Sequence, residues 1–241
     1  MQVLECFSMN KPQLGITELS SMSGMTKSNV YNIVSTFRAL GYIQKNSQTE
    51  KYYLGHKFLQ FANLAGDLTG LFSKIPESIK NVAQEAQELC YFAIEKNNKI
   101  VYINAAYPLD SALSFPSISG SGVTADMHVT ALGKAILASH GIEYVKGYVR
   151  DKELRKYTEN SITDPDALLV EIEKTRIRGY AIDDMEHIFG IKCVARAVHA
   201  PSGSVLGAIS IAGPSLRFNE DKIQQFAQIL EKHIKQLELN L

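Results

Sequence analysis

The sequence predicts an α+β protein in two parts, a small N-terminal winged helix-turn-helix followed by a larger layered domain of antiparallel strands and helices. Three observations predict it. Residues 15–54 carry two short helical patterns and a polar-tipped hairpin pattern with no spacer between them. Past residue 89, strand-like runs are joined by short polar links, which only antiparallel pairing allows. At 241 residues the chain exceeds the usual single-domain size, and its larger part is long enough to bury roughly 70% of its unfolded surface.

The chain opens Met1-Gln2-Val3-Leu4-Glu5, already inside a helical pattern. In the next helix Ile16, Leu19 and Met22 recur at the spacing of a buried stripe, with Thr17 as its expected cap and Ser23-Gly24 as its break. The following helix has Thr26 as N-cap, apolar Val30, Ile33, Val34, Phe37 and Leu40 on one face, and Gly41 at a left-handed stop. Its other face carries Lys27, Ser28, Tyr31, Asn32, Ser35 and Arg38 in place of the usual Glu and Lys mixture of a solvated helix. Asn can pair with an adenine edge and Arg with guanine or phosphate, while Ser, Thr and Tyr suit phosphate oxygens. Ile43, Tyr53 and Leu54 flank the polar tip of residues 45–51, whose Lys45 and Lys51 suit the phosphate backbone. Thr26, these six residues and the two wing lysines are the candidate contacts to double-stranded DNA.

Net charge is zero, but it is unevenly shared. Residues 1–65 hold six Lys or Arg (Lys11, Lys27, Arg38, Lys45, Lys51, Lys57) against three Glu (Glu5, Glu18, Glu50), leaving +3 there and −3 on the remainder. That excess is small for a DNA-binding protein. Affinity then has to come from pairing two modules on a two-fold, palindromic operator, so a homodimer or homotetramer is expected. No apolar run reaches the ~20 residues needed to cross a bilayer and no basic stretch leads into an apolar one at the start, so a soluble, cytoplasmic protein is expected. Cys6, Cys90 and Cys193 are odd in number and form no CxxC. Reduced thiols are expected, with neither disulfide framework nor zinc ribbon.

Residues 56–67 read as a helix joining the two parts, and a second helical pattern spans 71–89. Strand-like runs at 90–95 and 100–106 are separated by Lys96, Asn97, Asn98 and Lys99. A Ser/Gly loop at 117–122 precedes a short extended run, Met127 to Thr130, and a helix from Ala131 to about Ser139. Helices at 141–150 and 166–178 lead through Gly179 to a strand at 180–182 and then to a clear hairpin, 192–200 with 205–212, joined by Pro201, Ser202, Gly203 and Ser204. A helix over 220–239 closes the domain. The expected divisions are 1–55, a linking helix at 56–70, and 71–241.

Thr130 is placed to cap the helix that begins at Ala131, which leaves the N–H groups of Ala131, Leu132 and Gly133 as a site for an anion. Glycine at 133 also lets a ligand approach the backbone.

Five blocks, in order, carry a family resemblance: ITELSSMSGMTKSNVYNIVSTFRALGYI with the YYLG leading out of the wing, HVTALGKAILA, RGYAIDD, GIKCVARAV and GAISIAGPSLRF. Over nearly its whole length the chain resembles the IclR family of bacterial transcriptional regulators. The resemblance implies a winged-helix DNA-binding domain, a linker helix and a GAF-like effector domain that binds a small metabolite, often a carboxylate. It implies dimers or tetramers that repress or activate nearby catabolic genes; a repressor is the expected case here, and no cofactor is expected. It also places Asp183, Cys193 and Ser210 in the effector pocket beside Thr130, Ala131, Leu132 and Gly133.

Two departures stand out. The family's first helix usually follows a polar or basic arm, whereas this sequence begins at Met1 directly inside the helix, so either the arm is absent or the sequence is truncated there. Several relatives have a hydroxyl two residues beyond Ser210, where this chain has Ala212, on the same side of the strand. A more apolar pocket is expected, suited to a carboxylate larger or less polar than a two-carbon acid.

Two other classes compete. Cys193 with His128 or His187 and Asp183 or Asp184 has the residue types of a thiol-dependent enzyme, but GIKCVARAV reads as a buried strand where a thiol is inert. Asp183, Asp184, Glu186 and His187 suggest a metal site, against which a loop of four polar residues is more often solvated. Residues 119–122, SGSG, lack the Lys and helix of a phosphate loop. A winged-helix protein-interaction module would want an apolar or acidic outer face on the second helix, which this helix does not have.

Overall fold

The computed structural model describes residues 1–8, 11–66, 71–109 and 122–241. The chain divides into two compact units, Met1–Thr69 and Gly70–Leu241.

The first unit contains α1 (Gln2–Glu5), α2 (Ile16–Ser23), α3 (Lys27–Ala39), the hairpin β1 (Ile43–Lys45) and β2 (Tyr52–Leu54), and α4 (Lys57–Gly66). Val3, Leu14, Leu19, Val30, Val34, Ile43 and Tyr52 form its core. Thr17 does not cap α2. Gly15 holds the N-cap position, and the Glu18 carboxylate reaches back to accept the Gly15 N–H at 2.7 Å, so a side chain inside the first turn does the work assigned to Thr17. Met22 and Leu40 are exposed rather than buried, because this small core needs only Leu19 from α2 and Val30 and Val34 as fully buried side chains from α3. Thr26 caps α3 by accepting the Asn29 N–H, and Gly24 (φ 70°) and Gly41 (φ 83°) make the left-handed stops.

An aromatic cluster ties α4 to α3. Tyr42 stacks on Phe61 at 5.8 Å between ring centroids and meets Phe37 and Phe58 edge-on at 5.9 and 5.4 Å. Gly55 lies so close to Gly41 that a Cβ there would meet the Gly41 carbonyl at 2.3 Å.

The second unit is one six-stranded antiparallel sheet in the order β5-β4-β3-β8-β7-β6, flanked by helices. Its strands are β3 (Leu89–Lys96), β4 (Lys99–Ala106), β5 (Thr124–Asp126), β6 (Ala181–Asp184), β7 (Ile191–His199) and β8 (Val205–Pro214). Its helices are α5 (Leu71–Ala86), α6 (Ala131–Ser139), α7 (Ile142–Asp151), α8 (Pro165–Arg178) and α9 (Glu220–Glu238). Alternation along β8 shows the layering: Ile209 and Ile211 pack with α5 and α9, while Ala208 and Ala212 belong to the core that includes α6, α7 and α8. Small residues on that second face let α6 come close.

The β3–β4 link is tighter than its four polar residues suggest. Lys96 pairs with Lys99, and Asn97 and Asn98 both adopt positive φ (55° and 58°), the two-residue turn that matches strand twist. Leu89 belongs to β3, not to the preceding helix. The extended run expected at 127–130 lies earlier, as β5, and residues 127–129 form a single 3-10 turn. That turn is fixed by the close approach of Met127 to Gly133. Asp67 and most of the Ser/Gly loop at 117–122 fall outside the described residues.

Candidate functional site

On α3 the sequence-predicted contacts share one solvent face. Thr26, Lys27, Ser28, Tyr31, Asn32, Ser35 and Arg38 are all exposed, with Tyr31 at 57%. The side chains of Lys27, Ser28, Asn32, Ser35 and Arg38 make no hydrogen bond or ion pair among the described residues. This helix face leaves its amide, hydroxyl and cationic groups available to an external partner with polar edges.

The wing differs from the expectation of two free lysines. Lys45 pairs with Glu50, which together with hydrogen bonding holds its pKa above the ordinary value. Lys51 lies 3.1 Å from Glu18, and the Gly15 N–H and Lys51 lower the Glu18 pKa. Both pairs are exposed and exchangeable for phosphate contacts at small cost. The tip itself is shaped by Asn46, whose side-chain oxygen accepts the N–H groups of Gln48 (2.9 Å) and Thr49 (3.2 Å).

In the second unit a cleft of about 550 Å³, mouth included, opens between the sheet and the start of α6. Of the seven sequence-predicted effector residues, six line it: Thr130, Ala131, Leu132, Asp183, Cys193 and Ser210. Leu89, Tyr91, Tyr102, Ile188, Ile191 and Ala212 make the rest of the wall mostly apolar, and His187 stands beside Asp183's loop.

Gly133 is not in the lining. Its N–H donates to Thr130 Oγ1 at 3.1 Å, and a Cβ at this position would meet the Met127 backbone at 2.3 Å, so glycine is required by the turn below it and not by a ligand. The helix offers no acceptor to the Ala131 and Leu132 N–H groups, which remain as the anion-favouring pair.

Asp183 is buried. Its Oδ1 accepts the N–H groups of Glu186 (2.7 Å) and His187 (3.4 Å), folding residues 183–187 around the carboxyl with Met185 at φ 60°. Burial, reinforced by Glu186, raises the Asp183 pKa to about 7, while Lys134 and the two N–H groups pull the other way. Asp183 and Glu186 are thus buried, contrary to the reading of a solvated loop, while Asp184 stays exposed. Among the described residues no group of three His, Cys, Asp or Glu side chains is placed to hold a metal.

Behind the cleft lies a pair that sequence reasoning missed. Lys134, fully buried on α6, places Nζ 2.5 Å from Glu186 Oε1 and 4.0 Å from Glu171. The signal available was a lysine inside the apolar run ALGKAILA, every residue of which from Ala131 to Ala138 is buried.

Thiol chemistry is poorly served. Burial, with Asp183 and Glu186 nearby, pushes the Cys193 thiol well up, so it stays protonated. His128 is occupied with the Arg155 carbonyl (3.0 Å) and Tyr148 (3.4 Å), and burial lowers its pKa. Cys6, Cys90 and Cys193 are all free. No helix among the described residues is long and apolar enough to cross a membrane.

Comparison with known proteins places both units in one family. The family model described as the bacterial transcriptional regulator IclR C-terminal domain matches residues 67–239, and the IclR helix-turn-helix domain matches residues 1–47. The chain is 31% identical over 218 residues to the HTH-type transcriptional regulator KdgR of Escherichia coli, spanning 90% of this chain and 82% of that protein. It is 25% identical over 248 residues to the transcriptional repressor IclR of the same organism, spanning 99% and 87%. Among solved structures, an IclR homologue from Microbacterium hydrocarbonoxydans complexed with 4-hydroxybenzoate shares the fold, with a TM-score of 0.88 at 18% identity over 100% of this chain and 96% of that one. These relatives are regulators, not enzymes. The chain belongs to the IclR family of DNA-binding transcriptional regulators.

Proposed function

We propose that this protein is a dimeric or tetrameric repressor of catabolic genes whose hold on a palindromic operator is set by a small carboxylate bound in the C-terminal cleft. The observation that carries this reading is the pairing, in one chain, of an uncommitted polar face on α3 with a mostly apolar cleft beneath the free N–H groups of α6. The repressor among the relatives and the 4-hydroxybenzoate complex support the two halves of the reading.

On DNA, α3 enters the major groove, Asn32 and Arg38 address base edges, and Thr26, Lys27, Ser28, Tyr31 and Ser35 address phosphates. Lys45 and Lys51 exchange their carboxylate partners for the backbone. In the cleft, Ala131 and Leu132 hold the acid group, with Thr130, Asp183, Cys193 and Ser210 around the ligand body. Ligand binding biases the second unit between two states, and α4, stacked on α3 through Tyr42, carries the difference to the spacing of the two reading helices.

The test is operator binding by the full chain across a panel of small carboxylates. At least one acid should change operator affinity tenfold or more, and Ser210→Ala should blunt that response while leaving ligand-free DNA binding within twofold. An acid that binds the protein without altering DNA affinity would contradict the coupling.

A further inference from the structure

The wing is braced from outside its own hairpin. Leu14, just before α2, pairs with Tyr52 of β2 through two main-chain hydrogen bonds, the Leu14 N–H donating at 2.9 Å and the Tyr52 N–H at 2.8 Å. Both side chains belong to the buried core of the first unit. The main chain next to Gln13 is therefore anchored against the hairpin, while Gln13 itself is exposed.

Gln13 Oε1 accepts two hydrogen bonds from the wing tip, from Asn46 Nδ2 at 3.4 Å and from Thr49 Oγ1 at 3.2 Å, across 33 and 36 residues of chain. These same two residues shape the tip. Asn46 Oδ1 accepts the N–H groups of Gln48 and Thr49, and Thr49 Oγ1 accepts the Lys51 N–H at 3.4 Å. A chain of bonds thus runs from Gln13 through Thr49 to the main chain of Lys51. Among the described residues, the other side-chain hydrogen bond tying residues 45–51 to the body of the unit is Lys51 to Glu18 at 3.1 Å. That pair is half-exposed on both sides, so the lysine leaves it for a phosphate at small cost. Once it has left, Gln13 is the tie that remains.

We propose that Gln13 is a positioning residue for DNA binding, holding Asn46 and Thr49 in place so that Lys51, on leaving Glu18, meets a phosphate from an ordered tip. This rests on the reading of Lys51 as a phosphate contact. A tip already fixed has less freedom to lose when the complex forms, so the brace adds to affinity without touching DNA.

Gln13→Met keeps the length and the lack of charge but removes the acceptor. Replacing a neutral side chain by a neutral one releases no counterion of its own, so a change in the salt slope has to come through a lysine. The full chain is titrated with a mixed-sequence duplex, to which phosphate contacts apply whatever the bases, over a range of salt. Gln13→Met should weaken binding by about three- to tenfold, the worth of one hydrogen bond. It should also shrink the salt slope by about as much as Lys51→Met does, with the thermal midpoint unchanged. Thr49→Val breaks the same bond from its other end and should reproduce both effects, which keeps the test decisive if Gln13→Met fails to fold. In a Lys51→Met background neither change should move the slope further. A wild-type slope in both Gln13→Met and Thr49→Val, or a further fall when either is added to Lys51→Met, would overturn the proposal and leave Lys51 as a contact. If Lys51→Met itself keeps the wild-type slope, the reading of the wing lysine fails and this proposal with it.

Discussion

Lys134 and Glu186, 52 residues apart in sequence, form a buried ion pair with Nζ 2.5 Å from Oε1, close to the cleft that Asp183 lines. The pair joins α6, whose first turn roofs the cleft, to the 183–187 loop that presents Asp183 and His187. Its weak point is Glu186 Oε2, which is buried with no hydrogen-bond partner. Removing one member strands the other's charge. Lys134→Met should destabilise the C-terminal unit by about 3–5 kcal/mol, whereas Lys134→Met combined with Glu186→Leu should recover most of that loss. Urea unfolding of the three proteins checks it, and equal loss in the single and double variants would show that the pair is not the reason.

The Gly133 prediction concerns packing alone. Gly133→Ala drives a Cβ into the Met127 backbone and should cost about 1–3 kcal/mol, more if the 127–129 turn cannot shift. Thermal unfolding measures it; a neutral result would mean that the turn relaxes freely.

Proton linkage at Asp183 has a definite sign. Its native pKa of about 7 lies above the ordinary value of 3.8, so the native state holds a proton that the unfolded chain releases. The resulting stabilisation is complete below about pH 4 and is lost as pH rises toward 7 and slightly beyond. Glu186, also raised by burial, adds to the same slope. Asp183→Asn should flatten the fall in stability between pH 4 and 7.5, and stability curves at five or six pH values would reveal it. A steeper fall in the variant would reverse the assignment.

On the reading helix, Asn32→Ala and Arg38→Ala should each cost about 1–3 kcal/mol in operator affinity, with the self-association constant unchanged. Lys27→Ala should instead weaken all duplexes alike and reduce the salt slope by about 1. Fluorescence anisotropy for DNA and sedimentation for association separate the two effects. Parallel losses in both would favour a protein-contact role for this face.

How far the sequence could be read depended on whether the cause was local. Thr26 as a cap, Gly41 as a left-handed stop, and the α6 boundaries at Ala131 and Ser139 follow from chemistry within a few residues, and the structure has all of them. Thr17 misled because Gly15 gave no sign of being a cap until Glu18's reach was known. Met22 and Leu40 fit the helical spacing, but spacing does not tell how wide a stripe a small core can cover. At the cleft, Thr130 and the two following N–H groups were legible from capping rules, while Asp183, Cys193 and Ser210 came together only through strand register across β6, β7 and β8. Lys134 was hidden for the same reason, since its partner is supplied by tertiary structure.

The central claim, that α3 and the wing read a two-fold DNA site, is tested most directly by selecting bound sequences from random duplex DNA with the purified full chain and titrating the winners with salt. The account predicts an enriched palindrome whose half-sites lie about one helical turn apart, with affinity that falls steeply as salt rises. Enrichment of no sequence, or of a single asymmetric half-site whose binding ignores salt, would contradict it.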